Sequence, residues 1–185
     1  MPLPTPSEII SSRLTKLDGQ LLQVVDALTE EEASRWPATT APSCKWHLWH
    51  MARWADYVQA LLSPVVDVDT PELWEFAGVA DEWDFEGVDL GMWGAGSGLG
   101  NEIGKSLPLP SVSKVRAYAV ESFDLLEKRV GKLDDVTFDA PFTDWHDNET
   151  NVGDAMVGYL SHANRHLGML EAISGVLGKD GSVTV

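Results

Sequence analysis

Residues 151–177 read NVGDAMVGYLSHANRHLGMLEAISGVL. Met156, Tyr159, Ala163, His166, Leu170, Ile173 and Leu177 recur every three or four positions, so they share one face of a helix. The helix starts near Asn151, and Gly178 is its C-terminal signal. A helix with one apolar face buries that face against other elements, and the sequence supplies three more of the same kind. Residues 7–28 carry Ile10, Leu14, Leu17, Leu21, Val24, Val25 and Leu28 at helical spacing, with Pro6-Ser7 as an N-cap signal before Glu8. Residues 43–62, SCKWHLWHMARWADYVQALL, set Trp46, His50, Trp54, Tyr57, Val58 and Leu61 on one side before Pro64 ends the run. Residues 111–133 carry a seam of Val112, Val115, Ala119, Phe123, Leu126, Val130 and Leu133, with Ser111 as N-cap. Four amphipathic helices with almost no strand signal predict an all-α four-helix bundle, one domain over residues 1–185.

The links between these helices differ in kind. TEEEASRWP, residues 29–37, opens a short acidic turn of helix that Pro37 stops. Residues 63–110 hold Pro64, Pro71, Pro108, Pro110 and the glycine cluster GMWGAGSGLG at 91–100. They read as a long crossover connection between helices 2 and 3, with a helical turn at PELWEFA. Such loops often cover a functional site. GAGSGLG looks like a dinucleotide-binding fingerprint, but no strand precedes it, so that reading is discounted. Residues 134–151 are polar and turn-rich.

The chain has 185 residues, with 29 acidic and 13 basic side chains and a formal charge of −16. Such a charge repels phosphate backbones and anionic lipid surfaces, so neither nucleic acid nor membrane is an expected partner. No run of 18 apolar residues predicts a spanning helix. MPLPTPSEII lacks the basic and apolar regions of a signal peptide. Cys44 is the single cysteine, which excludes an internal disulfide and suits a reducing cytoplasm. At the start of a helix its thiolate would be mildly stabilised, but no base pairs with it, and it reads as structural. Eight tryptophans are many for this length, and they suit either a large-ring core or the lining of a cleft.

Five histidines carry the chemistry: His47, His50, His146, His162 and His166. His162 and His166 lie four apart, one turn along a single helix face, where two imidazoles can chelate one ion. His50 lies on the inner stripe of the second helix, and bundle sites are built from facing helices. One histidine on an apolar stripe is ordinarily a hydrogen-bonded core residue. Three facing inward each need a polar partner, or each desolvated ring costs about 1–3 kcal/mol. A shared metal satisfies all three. His47 reads as a packing residue or one supporting a ligand, and His146 as a solvated loop residue. Asp56, Asn164, Arg165 and Glu171 default to solvated surface roles. Tyr57 and Tyr159 suit the cleft or the packing equally.

The order of the helices and the phrases around these histidines resemble the DinB-like (YfiT-like) superfamily of metalloenzymes. WHLWHMARWADY resembles that family's W-x-x-x-H-x-A-R motif, and also the W-H-L-x-H phrase of the related domain in ergothioneine-forming sulfoxide synthases. NVGDAMVGYLSHANRHLGMLEAI resembles its final helix, where H-x-x-x-H-x-G recurs. The resemblance spans nearly the whole chain. It implies His50, His162 and His166 as metal ligands and leaves His47 outside the ligand set. It also implies a metal-dependent thiol transferase-like enzyme, using a low-molecular-weight thiol such as mycothiol, bacillithiol or glutathione on a small-molecule substrate, and a homodimer.

Three histidines leave coordination positions open to water or substrate. The ion would activate a thiol, or alternatively water in a metal-dependent hydrolase. A third reading is a non-enzymatic metal-binding stress-response protein. Imidazole suits a divalent transition metal, zinc, nickel or iron among them.

Overall fold

Helix periodicity becomes structure in four long segments. The computed structural model describes residues 3–66 and 71–183; residues 67–70 of the predicted crossover and the first two residues of MPLPTPSEII lie outside the described residues. The long helices are α1 (Pro6–Asp26), α3 (Cys44–Leu62), α7 (Val112–Val130) and α9 (Val152–Val176). Between α1 and α3 lies α2 (Glu30–Ser34), the acidic turn. The long link carries α4 (Leu73–Phe76), α5 (Val79–Glu82) and α6 (Asn101–Ser106). Between α7 and α9 lie α8 (Asp135–Phe138) and the strands β1 (Pro141–Thr143) and β2 (Glu149–Asn151). Helix α3 packs on α7 and α9, and α1 packs on α9 and α7. The apolar seams meet in a core where Leu14, Leu21, Val58, Leu126 and Leu170 are fully buried. Each such side chain contributes about 1.5–3 kcal/mol of transfer free energy.

Several expectations are corrected. The fold is mostly helical rather than all-α, because residues 141–151 form an antiparallel hairpin with Pro141 opposite Asn151 and Thr143 opposite Glu149. Its strands are three residues each, too short to show an alternating pattern. The first helix is capped by Thr5, not Ser7: Thr5 accepts from the Glu8 amide while Glu8 returns to the Thr5 amide, and Pro6 takes the first helical position. Ser111 stands at the start of α7 without capping it; the Val112 amide donates to Glu30 Oε2 of α2 at 2.7 Å instead. Helix α7 ends at Val130, before Gly131, rather than at Leu133.

Helix α3 departs most from its reading. It is buried nearly all round, not along one stripe, with Trp49, Met51 and Ala55 inaccessible on faces the pattern left open. The long link explains this. Trp74, Trp83 and Phe85 from the link pack on α3 and α7, with Trp49 stacked against Phe85 at 6.2 Å and Trp74 tilted against Tyr118 at 5.7 Å. No helix among the described residues is long and apolar enough to cross a membrane.

Candidate metal centre

Helices α3 and α9 face each other at the three histidines. His50 Nε2 lies 3.2 Å from His162 Nε2. The His166 ring centroid is 4.6 Å from those of both His50 and His162. One ligand-type nitrogen from each residue lies within 4.8 Å of the other two. The sequence therefore named three residues that the structure brings together.

Two of the three rings are oriented from outside the cluster. The Ala95 carbonyl accepts from His50 Nδ1, so the His50 lone pair is on Nε2, facing His162. Trp46 stacks on the same ring at 4.9 Å and 12°. His166 Nδ1 lies 2.9 Å from His47 Nδ1. Ligation through His166 Nε2 would put its proton on Nδ1, with His166 donating and His47 accepting. Ligating histidines are oriented in this way, by partners on the far ring nitrogen.

The spacing fits a divalent transition ion. Bonds of about 2.0–2.1 Å from a tetrahedral centre put two ligand nitrogens about 3.3 Å apart. The observed Nε2 to Nε2 distance is 3.2 Å. Burial lowers the pKa of His50 to about 3, with His162 and His47 adding to the effect, and of His162 to about 4, with Arg165 adding to it. Burial also lowers His47 to about 4 and His166 further still, the neighbouring imidazoles adding to it in the latter. The rings are neutral, the form in which imidazole ligates.

The glycine cluster supplies the Ala95 carbonyl. Gly94 and Gly96 have positive φ, +60° and +84°. A Cβ on Gly96 would stand 2.8 Å from Trp49 Cζ3 and 2.9 Å from Trp46 Cζ2, so only glycine lets this backbone lie flat on α3. Arg53, one turn beyond His50, pins the same loop. Its Nε donates to the Gly94 carbonyl at 2.9 Å, Nη2 to Glu72 at 2.7 Å, and Nη1 to Asp56 at 3.1 Å and the Tyr118 hydroxyl at 3.0 Å. The guanidinium lies 4.7 Å over the Trp74 ring. Asp56 also accepts from the Leu73 and Trp74 amides at 2.8 and 2.9 Å and from the Tyr118 hydroxyl at 2.8 Å. It is fully buried, which corrects the solvated surface reading; the apolar residues on both sides of it in 43–62 were the available signal.

The other singled-out residues separate. Cys44 is buried, and desolvation pushes its thiol up to about 12, so the helix start does not stabilise a thiolate there. His146 is exposed, as read, but its ring stands edge-on to Trp93 at 5.1 Å. Asn164 and Arg165 are exposed; Glu171 is half-buried and accepts from Ser182 Oγ and the Val183 amide, which ties down the C-terminal segment. Tyr159 is fully buried, and Tyr57 packs half-buried on Trp54 at 6.0 Å. Trp93 and Trp145 flank Trp54 at 5.1 and 5.4 Å beside a cavity of about 500 Å³ that reaches His162. Sequence reading missed Trp93 and Trp145 individually, because the hairpin that carries Trp145 has no periodic signal.

A solved structure described as the crystal structure of the conserved protein of locus from Enterococcus faecalis is similar, with a TM-score of 0.76 at 18% identity over 96% of this chain and 100% of the other. At that identity it shows a shared fold alone. No curated protein matches the chain. The model of the DinB superfamily matches residues 13–170, a span that takes in all three histidines. The chain belongs to the DinB superfamily.

Proposed function

We propose that this protein is an enzyme in which His50, His162 and His166 hold a divalent transition ion, zinc, nickel or iron, that activates a low-molecular-weight thiol for transfer or isomerisation. The observation that carries the reading is the approach of three ligand-type nitrogens to within 4.8 Å, from two helices over a hundred residues apart. When bound, such an ion favours the thiolate of a thiol that coordinates it. The chain's own residues do the rest. Ala95 and His47 hold two of the rings in register, and His162, half-buried, faces the cavity from which a reactant arrives. Trp54, Trp93 and Trp145 offer that reactant apolar walls and keep water from its body.

The same reading takes the four long helices as one four-helix bundle, with residues 63–110 as its crossover. The mutual packing of α1, α3, α7 and α9 supports this. It places the protein in the cytoplasm, in keeping with one buried cysteine, as a homodimer acting on a small molecule.

The test is an assay of metal-loaded protein with candidate thiols and a chromogenic electrophile, beside His50→Ala. A thiol-dependent rate in the wild type that His50→Ala lacks is the expected result. Equal rates in the two overturn the reading, and hydrolysis of esters without thiol moves the site to the hydrolase alternative.

A further inference from the structure

We infer that the candidate metal centre adjoins two separate ligand subsites: a small, glycine-lined one for the coordinating donor, and a tryptophan-lined one for a flat aromatic acceptor. This rests on the proposed function and divides its site in two.

The first cavity, about 500 Å³, is bounded by Trp54, Trp93, Trp145 and Gly158, and of the three ligand histidines it touches His162 alone. The second is smaller, about 300 Å³. It is bounded by Trp36, Trp46, Gly104 and the glycine-rich backbone of 96–100, and it touches His50, His162 and His166 together. Of the residues named by either, only Ser97 and His162 belong to both. The two cavities therefore adjoin at Ser97 and His162 and are otherwise lined by different residues.

The walls differ in chemistry. The smaller cavity is lined by all three histidines, so a group seated there lies beside the candidate metal centre. Its floor is backbone that Gly96 and Gly98 hold at positive φ, which leaves room for a compact donor. The larger cavity is lined by three indoles, Trp93 and Trp145 inclined at 48° and 75° to Trp54, beside Asp144, Asp154 and Arg165, which favours stacking or edge contact with a planar group. Reactants held in two cavities that adjoin at His162 gain the proximity that a two-reactant transfer needs.

Two helical glycines allow the subsites to be blocked one at a time. A Cβ on Gly158 would meet Trp145 at 3.5 Å, and one on Gly104 would meet Trp46 Nε1 at 3.4 Å; both are close to ordinary contacts. Gly158→Leu and Gly104→Leu therefore fill one cavity each. The probes are 2-mercaptoethanol and indole, titrated by calorimetry into the zinc-loaded full chain. The two are expected to bind together, each changing the other's Kd less than threefold. Gly158→Leu is expected to weaken indole at least tenfold and leave the thiol unchanged, and Gly104→Leu to do the reverse. Mutual competition, or one block weakening both probes, overturns the division. If the wild type retains none of zinc, nickel or iron, the proposed function fails. Indole on the metal-free chain then still decides the division: it must be lost in Gly158→Leu and kept in Gly104→Leu, and any other pattern overturns it. Should a glycine variant not melt cooperatively, Ser161→Leu and Asn101→Leu place the same blocks from exposed positions.

Discussion

Replacing Gly96 by alanine should damage the metal centre without touching a ligand. Gly96 has φ +84°, and its Cβ would lie 2.8 and 2.9 Å from ring atoms of Trp49 and Trp46. Trp49 is fully buried, so it cannot swing aside. The left-handed backbone costs about 1–2 kcal/mol for an alanine, and overpacking a filled site about 1–3 kcal/mol, so unfolding free energy falls by about 2–5 kcal/mol. The strain is relieved if the loop lifts from α3, and the lift carries the Ala95 carbonyl away from His50 Nδ1. Loss of such a supporting contact weakens metal binding by about 10–100-fold. Gly178→Ala is the control: its φ is +82°, nothing lies within 4 Å of its Cβ, and it is remote from the histidines. That variant should lose about 1–2 kcal/mol from the backbone alone and keep wild-type affinity. Urea denaturation gives the stabilities, and competition with a chromogenic chelator gives the zinc affinities. If Gly96→Ala binds zinc as Gly178→Ala does, the loop does not orient His50 and the reasoning fails.

Other perturbations isolate other links. His47→Ala removes the acceptor from His166 Nδ1, so zinc affinity should fall about 10–100-fold by the same competition assay; an unchanged affinity would show that His47 only packs. Arg53→Met removes the cation paired with the buried Asp56 carboxylate, and denaturation should show a loss of about 3–5 kcal/mol. Asp18 is held well above the ordinary carboxylate range by burial and then by Glu127. Its native pKa exceeds its unfolded one, so the native state keeps the proton to higher pH. Stability then falls as pH rises above about 4 towards the raised native value. Asp18→Asn should flatten that slope and raise Tm at pH 7, and melting profiles from pH 4 to 8 that stay parallel to wild type would refute it.

The four long helices were legible because each repeats one rule, an apolar residue every three or four positions, often enough to outweigh local exceptions. The ligand set was legible for a related reason. His162 and His166 share a helix face by spacing alone, and His50 falls on an apolar stripe where an unpaired imidazole is costly. The caps were less legible, since Thr5 and Ser7 are both good cap residues and only the reciprocal bond with Glu8 distinguishes them. Ser111 is the converse case: a good cap residue at the right position makes no cap bond, its hydroxyl pairing with that of Ser113, while Glu30, over eighty positions away, accepts from the Val112 amide.

What the sequence concealed is the work of residues 71–110, and the reason is physical. This link acts through backbone. Ala95 contributes a carbonyl, Gly94 an acceptor for Arg53, and Gly96 the absence of a Cβ. Hydrophobic periodicity reports where side chains go and says nothing of where a carbonyl points. The link nevertheless left a trace on its partner. Helix α3 carries more apolar and aromatic residues than one buried stripe can use, among them Trp46, Trp49 and Trp54, and buries Arg53 and Asp56 between them. A charged pair three apart within such a run has nowhere polar to go unless another segment covers it. The excess hydrophobicity of 43–62 and the glycines of 91–100 are thus two halves of one contact, whose outcome is a fixed tautomer at His50.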